Sequence, residues 1–191
     1  MNTIKKILLT LVLLTPLGAM AQFSQDKPEF EYMFKGELGY MPFVSNVGVQ
    51  GDAGYYINDL RHIGSVNVIN GINIKQDFFA GIGLGYGYVT RPQDLADGWH
   101  CGMAFVDLDY RPLDVEFAPM VGAKLGASYM MANTQYGNTI APYVELSAGL
   151  NWFYRYKYRN MERNYLSVYF GLGFAYTQQS CFLPIRVGVR F

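Results

Sequence analysis

The chain has 191 residues with 15 basic and 15 acidic side chains, so its formal net charge is zero and nothing in this balance indicates nucleic acid as a partner. Only 16% of the residues are charged, whereas 16 Tyr, 13 Phe and 21 Gly are present. In soluble domains roughly a quarter of all residues are charged, so this composition is unusual for a soluble domain. The length fits a single domain.

The N-terminus has the three parts of a secretory signal peptide. Lys5 and Lys6 supply positive charge, Ile7–Met20 is a mostly apolar stretch of 14 residues, and Ala21 ends the small-residue site that a signal peptidase needs. A membrane anchor is the alternative, but 14 residues are fewer than the roughly 20 that a helix needs to cross hydrocarbon. We therefore predict a cleaved signal peptide over residues 1–21 and one mature domain over residues 22–191. We expect the mature chain to start at Gln22, and because no Cys follows the cleavage site, no lipid anchor is expected there.

The clearest strand of the mature chain is Phe78–Val89. Its even positions are bulky and apolar, while its odd positions include Gly81, Gly83, Gly85 and Gly87. A period of two is typical of a strand whose faces lie in different environments. Seven further segments alternate in the same way, the first two less regularly. The eight predicted strands are Glu31–Phe43, His62–Ile74, Phe78–Val89, Ala104–Arg111, Val121–Tyr129, Ile140–Trp152, Leu166–Thr177 and Leu183–Phe191.

The number and length of these strands predict a membrane barrel. Each has about the 9–11 residues that cross a membrane at a tilt, or slightly more. No stretch after Ala21 is long and apolar enough for a transmembrane helix. Because every backbone polar group in a bilayer needs a partner, the remaining way to span it is a closed barrel. The predicted fold is therefore all-β, an eight-stranded antiparallel transmembrane β-barrel with an up-and-down meander.

The predicted connections alternate in length. Long loops are predicted at Val44–Arg61, Arg91–His100 and Met131–Thr139, and tight turns at Lys75–Asp77 and Pro112–Val115. Long outer loops and short periplasmic turns are typical of outer-membrane barrels, and an even strand count places both termini on the periplasmic side. Two connections depart from the pattern. They are a long basic periplasmic turn at Arg155–Asn164 and a short last outer loop at Gln178–Cys181.

The two strand faces decide between a membrane barrel and a soluble barrel of the lipocalin type, which is apolar inside. In a soluble barrel the uncharged glycine strip of the third strand would face water, which is unusual. Turned inward, these glycines leave room for larger neighbours in a narrow barrel. Aromatic residues near strand ends on the apolar face favour interfacial girdles. These residues are Tyr32, Tyr40, Tyr88, Tyr110, Tyr129, Trp152 and Tyr176.

The whole mature chain resembles a known family. The signal peptide, eight amphipathic strands, the sequence GIGLGYGY at Gly81–Tyr88 and the ending LPIRVGVRF at Leu183–Phe191 are similar to small outer-membrane β-barrel proteins of the OmpA/OmpX-like, porin-family kind. The resemblance implies a location in the cell outer membrane, among outer-membrane lipids, with the barrel assembly machinery as a partner during biogenesis. It also implies that Phe191 belongs to the C-terminal assembly signal. We expect the mature chain to be barrel only, without a separate peptidoglycan-binding domain.

The inward strand faces carry charges of both signs. Unpaired charges inside a barrel surrounded by hydrocarbon are costly, so we expect these charges to pair. One hypothesis is an ion or substrate path. The other, which eight strands favour because they leave space mainly for side chains, is a structural network that fills the lumen. We also expect Arg186 or Arg190 to pair with Glu37 across the closing strands. The eight charged residues are Lys35, Glu37, Asp107, Asp109, Lys124, Glu145, Arg186 and Arg190.

The two histidines, His62 and His100, lie near predicted outer strand ends. Some eight-stranded outer-membrane enzymes that modify lipid A place His and Ser near the outer leaflet, but glycine follows both histidines at the His-x-Ser spacing. Alternation puts His62 and Ser65 on opposite faces. Two histidines are too few for a metal site. We predict no catalytic residue, no metal and no cofactor.

The two cysteines, Cys101 and Cys181, fall at the predicted outer ends of the fourth and eighth strands, after the second and fourth outer loops, and these two strands lie across the barrel from each other. A disulfide needs Cα atoms within roughly 7 Å. Free thiols are therefore expected, although an even count in an exported protein leaves a bridge open.

These patterns predict a non-enzymatic outer-membrane barrel with a structural or surface-interaction role. Its outer loops are the part available to contact a ligand or partner, which the sequence does not identify. A small pore or hydrophobic-solute conduit is the alternative, and a lipid-modifying enzyme is the third hypothesis.

Overall fold

In the computed structural model, the described part of the chain forms one closed antiparallel β-barrel. The described residues are 30–47, 61–74, 77–91, 94–113, 115–131, 139–158 and 161–191. Within these ranges no helix is long and apolar enough to cross a membrane. Neighbours in sequence are neighbours in the barrel, which confirms the predicted eight-stranded meander. The strands are β1 (Phe30–Met41, continued by Phe43–Asn46), β2 (His62–Ile74), β3 (Phe78–Arg91), β4 (Asp94–Tyr110), β5 (Phe117–Met131), β6 (Thr139–Tyr158), β7 (Met161–Thr177) and β8 (Ser180–Phe182, continued by Ile185–Arg190).

The barrel closes where β8 pairs with β1. Six antiparallel residue pairs, beginning with Lys35 opposite Arg190, join Ile185–Arg190 to the first strand. Phe34 and Phe191 add two backbone hydrogen bonds of 2.8 and 3.0 Å, and their rings lie 5.0 Å apart. The last residue of the chain is thus part of the closing seam.

A proline interrupts each of the two closing strands. Pro42 divides β1 and Pro184 divides β8, because a proline has no N–H to donate to the ladder. Both carbonyls still accept hydrogen bonds, from the N–H groups of Leu183 and Gly173, each at 3.0 Å. The predicted unbroken eighth strand is therefore wrong at Pro184, although the barrel stays closed.

The two ends of the barrel differ in their connections. We call the end that holds the β1–β2, β3–β4, β5–β6 and β7–β8 connections the loop end, and the opposite end, which holds the first and last residues of the barrel, the turn end. The sequence predicts that the loop end faces outside and the turn end faces the periplasm.

The outward face of the barrel is apolar. Large side chains cover it, with Ile140 78% exposed, Ile82 71% and Leu38 62%. None of the outward strand positions whose side chains the structure describes carries Asp, Glu, Lys or Arg. Soluble proteins rarely expose a continuous apolar surface. The soluble-barrel alternative is therefore wrong, and the face suits hydrocarbon.

Aromatic residues border this apolar face at both ends. From Phe78 at the turn end to Tyr88 at the loop end there are 88 − 78 = 10 residue steps. At about 3.3 Å per residue and a tilt of about 40°, these steps span about 25 Å, the height of the apolar band in outer-membrane barrels. Trp152 stacks on Phe117 with ring centroids 6.0 Å apart. The predicted girdle residues Tyr32, Tyr40, Tyr88, Tyr110, Tyr129, Trp152 and Tyr176 all lie at outward positions.

Two predicted connections prove to be mostly strand. β3 reaches Arg91 and β4 starts at Asp94, so the predicted long loop Arg91–His100 is wrong. Alternation of apolar and polar residues identifies a strand only where one of its faces meets lipid. Where a hairpin continues past the apolar band, its polar residues do not give this signal. The predicted signal peptide and residues 48–60 and 132–138 of the other two long loops lie outside the described residues.

The basic turn predicted at Arg155–Asn164 is the second correction. β6 runs to Tyr158 and β7 begins at Met161. The register places Lys157 opposite Glu162. The register continues to Tyr158 opposite Met161, so this charged segment is an extended hairpin rather than a loop.

The glycine strip of β3 lines the lumen, as its alternation predicts. A Cβ added at Gly83 would lie 2.3 Å from the Phe105 ring, and one at Gly188 would lie 2.3 Å from the Tyr169 ring. Neither distance is possible without a displacement, so large inward rings depend on glycine in the neighbouring strand.

The loop-end half of the lumen is filled by apolar side chains. The Arg61 guanidinium lies 4.2 Å from the centre of the Trp99 ring in this region, and both side chains are buried. Arg186 Nη2 lies 3.1 Å from the Met41 sulfur, so the charged part of the lumen borders this half directly. Its buried apolar members include Met41, Ile63, Val89, Trp99, Met130 and Phe182.

A two-residue turn covers the same end of the lumen. Gln178 and Gln179 have φ angles of 50° and 57°, as in the type I′ turns that suit the twist of a hairpin. Gln178 is buried, and its amide donates a hydrogen bond of 3.0 Å to the Ser128 hydroxyl. Ser128 in turn lies 2.6 Å from the Thr177 hydroxyl. The short connection predicted at Gln178–Cys181 thus packs over the barrel interior.

Candidate functional site

The eight charged residues predicted to face inward all lie in the lumen, between its apolar half and the turn end. Each is at most 4% exposed. They come from five strands, β1, β4, β5, β6 and β8. Successive side chains of a strand point to opposite faces, so alternate residues of each strand point towards the interior. The set contains four positive and four negative groups, so it is neutral as a whole.

The first group of charges is the Glu145 cluster, made of Glu37, Lys124, Glu145 and Arg186. Arg186 donates two hydrogen bonds to the Glu145 carboxylate, of 3.1 Å from Nε and 2.6 Å from Nη2. Lys124 Nζ lies 3.4 Å from Glu145 and 2.6 and 2.7 Å from the two Glu37 oxygens. Each charge in the cluster therefore contacts at least one of opposite sign.

Neutral groups complete the surroundings of Arg186. Its Nη1 donates to the Ser65 hydroxyl at 2.6 Å, and its Nη2 donates to the Tyr143 hydroxyl at 3.0 Å. Tyr143 in turn donates a hydrogen bond to Glu145. A Cβ at Gly39 would lie 1.8 Å from Arg186 Nη1, so this glycine leaves the space that the guanidinium occupies.

The second group is the Asp109 cluster, made of Lys35, Asp107, Asp109 and Arg190, nearer the turn end. Lys35 Nζ donates to Asp107 and, at 2.6 Å, to Asp109. Arg190 Nη2 donates to Asp109 at 2.5 Å. Lys35 also lies over the Phe79 ring at 4.7 Å. The two positive groups of the closing seam are thus neutralised by carboxylates from β4, on another wall of the barrel.

The expected pairing of Glu37 with Arg186 or Arg190 is wrong. The register places Glu37 opposite Gly188 and Arg186 opposite Gly39. The lumen is narrow enough for long side chains to reach another wall, so both arginines extend away from the seam and Glu37 pairs with Lys124 on β5. Strand order alone could not give this result, because it depends on the register and on where glycine leaves space.

This arrangement holds the charged groups against one another. No carboxylate of the two clusters lies beside a histidine, and the hydroxyls of Tyr143 and Ser65 are engaged with Arg186. Buried pairs of this kind resist change because the loss of one member leaves its partner charged and unsatisfied. The geometry therefore fills the lumen and offers little that could act as a free acid, base or nucleophile.

The barrel is similar to solved outer-membrane barrels. Neisserial surface protein A (NspA) matches with a TM-score of 0.55 and 12% identity, over 85% of this chain and 96% of that one. The N-terminal β-barrel domain of Pseudomonas aeruginosa OprF matches with a TM-score of 0.50 and 14% identity, over 83% of this chain and 97% of that one. This chain has the fold of the small eight-stranded outer-membrane barrels. No protein-family model and no curated protein sequence matches it.

The barrel carries its two histidines on the outward face at the loop end. His62 Nδ1 lies 2.6 Å from the Tyr40 hydroxyl, and His100 Nδ1 lies 2.5 Å from the Tyr86 hydroxyl. Ser65 faces the lumen, so it lies on the opposite face from His62. The described residues hold no group of three or more His, Cys, Asp or Glu side chains that could bind a metal.

The two cysteines of the barrel, Cys101 and Cys181, are both buried free thiols. This result agrees with the expectation from their places on opposite strands.

Sequence reasoning missed several neutral and basic members of the lumen. Ser65, Tyr143 and Asn67 bind the charges described above, the last by a hydrogen bond of 3.2 Å to Glu37. Arg111 and Asn151 are buried at the turn end. All five share the inward parity of their strands, which is the signal that could have identified them.

Proposed function

We propose that this chain is a non-enzymatic outer-membrane barrel with a structural or surface-interaction role. In this proposal it is exported through cleavage of residues 1–21, inserted by the barrel assembly machinery with Phe191 in its assembly signal, and held among outer-membrane lipids. The observation that carries the proposal is the filled lumen. The loop-end connections are then the part of the molecule available to a ligand or partner outside the cell.

The ion pairs oppose passage through the lumen. A solute would have to separate at least one pair in each cluster, and freeing a buried charge from its partner costs about 3–5 kcal/mol. Such a cost leaves an opened form at about 1% of the population or less. The apolar half and the Gln178 turn lie in series with the clusters, so the path is closed at more than one level.

A small pore is the second candidate, and one observation favours it. Asn67 Oδ1, Asp107 Oδ1 and two nitrogens of Arg190 are buried in the lumen without a protein partner. Buried polar atoms usually find water when no protein group serves them. A file of such water across the charged layer would be the beginning of a conducting path.

Single-channel recording distinguishes the two candidates. The refolded barrel in a planar lipid bilayer is expected to give no steady current, while a porin of known conductance in the same membrane serves as the positive control. Steady wild-type conductance would contradict the structural role and support the pore.

The enzyme hypothesis has a separate test. His62 Nδ1 is engaged with the Tyr40 hydroxyl, so we expect no change in outer-membrane lipid incubated with the purified barrel. Release of an acyl chain, measured by mass spectrometry and lost in His62→Ala or His100→Ala, would instead establish an enzyme.

A further inference from the structure

Four buried polar side chains at the turn end of the lumen have atoms without a hydrogen-bond partner. Asn151 is completely buried, and neither its Nδ2 nor its Oδ1 has a partner. Tyr169 Oη, Arg111 Nε and both Nε and Nη1 of Arg190 are in the same condition. A buried polar group left unpaired costs free energy, and four such groups on neighbouring positions are an exception that calls for an explanation.

These four side chains are neighbours on the inner wall. Asn151 of β6 lies directly opposite Tyr169 of β7 in the strand register. The Arg190 guanidinium lies 5.0 Å from the centre of the Tyr169 ring. Arg111, just beyond the last residue of β4, lies 5.1 Å from the centre of the Phe153 ring, which follows Asn151 on the inward face of β6. The unpartnered atoms therefore belong to one region.

The buried charges of this region are mostly positive. Lys35, Arg190 and Arg111 contribute three buried positive groups against the two buried carboxylates of Asp107 and Asp109, while Glu31, on the inward face of β1, adds a carboxylate that is only partly buried. Of the unpartnered atoms on the four side chains, the nitrogens can only donate hydrogen bonds. Buried guanidiniums that keep unpartnered donors favour an anion as their partner.

The state of Arg111 agrees with this balance. Burial and, next, repulsion from the Arg190 guanidinium lower the pKa of Arg111 to about 10. The carboxylates of Asp77 and Glu31 also act on Arg111, but Asp77 is exposed and Glu31 is partly exposed, so water screens them. The buried carboxylate that acts most on Arg111 is that of Asp109, which is already held by Lys35 and Arg190.

We propose that Arg111, Asn151, Tyr169 and Arg190 form a binding site for a small inorganic anion at the turn end of the lumen. The guanidiniums of Arg111 and Arg190 supply the charge, and the Asn151 amide and Tyr169 hydroxyl donate hydrogen bonds from the facing wall. Arg111, whose Nη2 donates a hydrogen bond to Asn73, is the member of the site nearest the end of the barrel, so an anion enters past this side chain. The site holds its ligand without opening the ion pairs of the two clusters.

The test measures thermal unfolding of the refolded full barrel in detergent, by the gel shift between folded and unfolded protein. Sodium chloride or sodium phosphate replaces sodium gluconate, a bulky organic anion, at constant ionic strength. A bound anion stabilises the folded state by mass action, so the wild-type midpoint is expected to rise saturably, by roughly 5–10 °C when the anion is at about a hundred times its Kd. The chloride and phosphate series separate a monoatomic from a tetrahedral ligand.

Two variants connect this rise with the site. Asn151→Leu removes an amide that has no protein partner, so it is expected to fold and to lose the anion-dependent rise. Arg111→Met should lose it as well. Ser128→Ala, which changes the lumen at the loop end, is the matched control and should keep the full rise. The proposal is overturned if the wild-type midpoint is the same in chloride and phosphate as in gluconate, or if Asn151→Leu keeps the rise.

Discussion

Replacing Glu145 by Gln tests whether the lumen charges act as a unit. The substitution keeps the size of the side chain but removes its negative charge. Glu145 is 1% exposed and accepts hydrogen bonds from Arg186, Lys124 and Tyr143. Lys124 keeps Glu37 at 2.6 Å, but Arg186 keeps only neutral partners. We therefore expect Glu145→Gln to lower the free energy of unfolding by about 4–5 kcal/mol, near the upper end for a broken buried pair.

The reciprocal substitution, Arg186→Met, should cost less. It leaves Glu145 with the Lys124 ammonium at 3.4 Å, so the carboxylate is not stranded. We expect a loss of about 3 kcal/mol. The double variant removes both charges of the pair and leaves the second pair of the cluster intact. Its loss should fall short of the sum of the single losses by about 2–3 kcal/mol, the coupling usual for residues in one network.

Urea-induced unfolding in phospholipid vesicles, followed by tryptophan fluorescence, gives these free energies. The control is Glu116→Gln, the same chemical change at an exposed carboxylate that accepts a hydrogen bond of 3.1 Å from Trp152. It should change stability by less than about 1 kcal/mol. The reasoning fails if Glu145→Gln is as mild as this control, or if the losses of the single variants simply add.

Three further predictions concern packing, assembly and export. Gly83→Ala should destabilise by about 1–3 kcal/mol, since its Cβ meets the Phe105 ring, whereas Gly64→Ala, with nothing within 4 Å, should stay within about 0.5 kcal/mol in the same urea assay; equal losses would refute the packing argument. Phe191→Ser should lower the amount of barrel in the outer-membrane fraction of cells, by immunoblot, more than it lowers the stability of the refolded protein, and a normal amount would contradict the assembly role. Intact mass of the membrane-extracted protein should begin at Gln22, and a mass that includes residues 1–21 would contradict cleavage.

The fold could be predicted because one face of each strand meets lipid. Alternation gives β2 its bounds, His62–Ile74, without error, and it gives the parity that turns all eight charges inward. The same signal fails where a strand leaves the apolar band. The β3–β4 and β6–β7 hairpins continue beyond it into segments rich in polar and charged residues, whose sequences resemble those of loops.

The ion pairs within the lumen could not be predicted from the sequence, because they depend on the three-dimensional arrangement of the strands. Alternation places Arg186 and Glu145 in the same interior, but their contact requires the register of every strand between them. It also requires Gly39, which leaves space for the guanidinium. The turn-end group is harder still, since Asn151 and Tyr169 look like ordinary inward residues in the sequence and become conspicuous only when their polar atoms are found without partners.

The pairing of β1 with β8 brings two positively charged side chains together, which is unfavourable when these two strands are considered alone. Lys35 faces Arg190 directly across the seam, and two positive charges about 5 Å apart cost about 3 kcal/mol at an effective dielectric constant of about 20. The compensating carboxylates, Asp107 and Asp109, arrive with β4 from the middle of the chain. In a barrel that lacked its central hairpins, pairing β8 with β1 would therefore cost free energy, because the facing positive charges would have no carboxylate partner. The charges of this last strand pair thus favour closure only after β4 is in place.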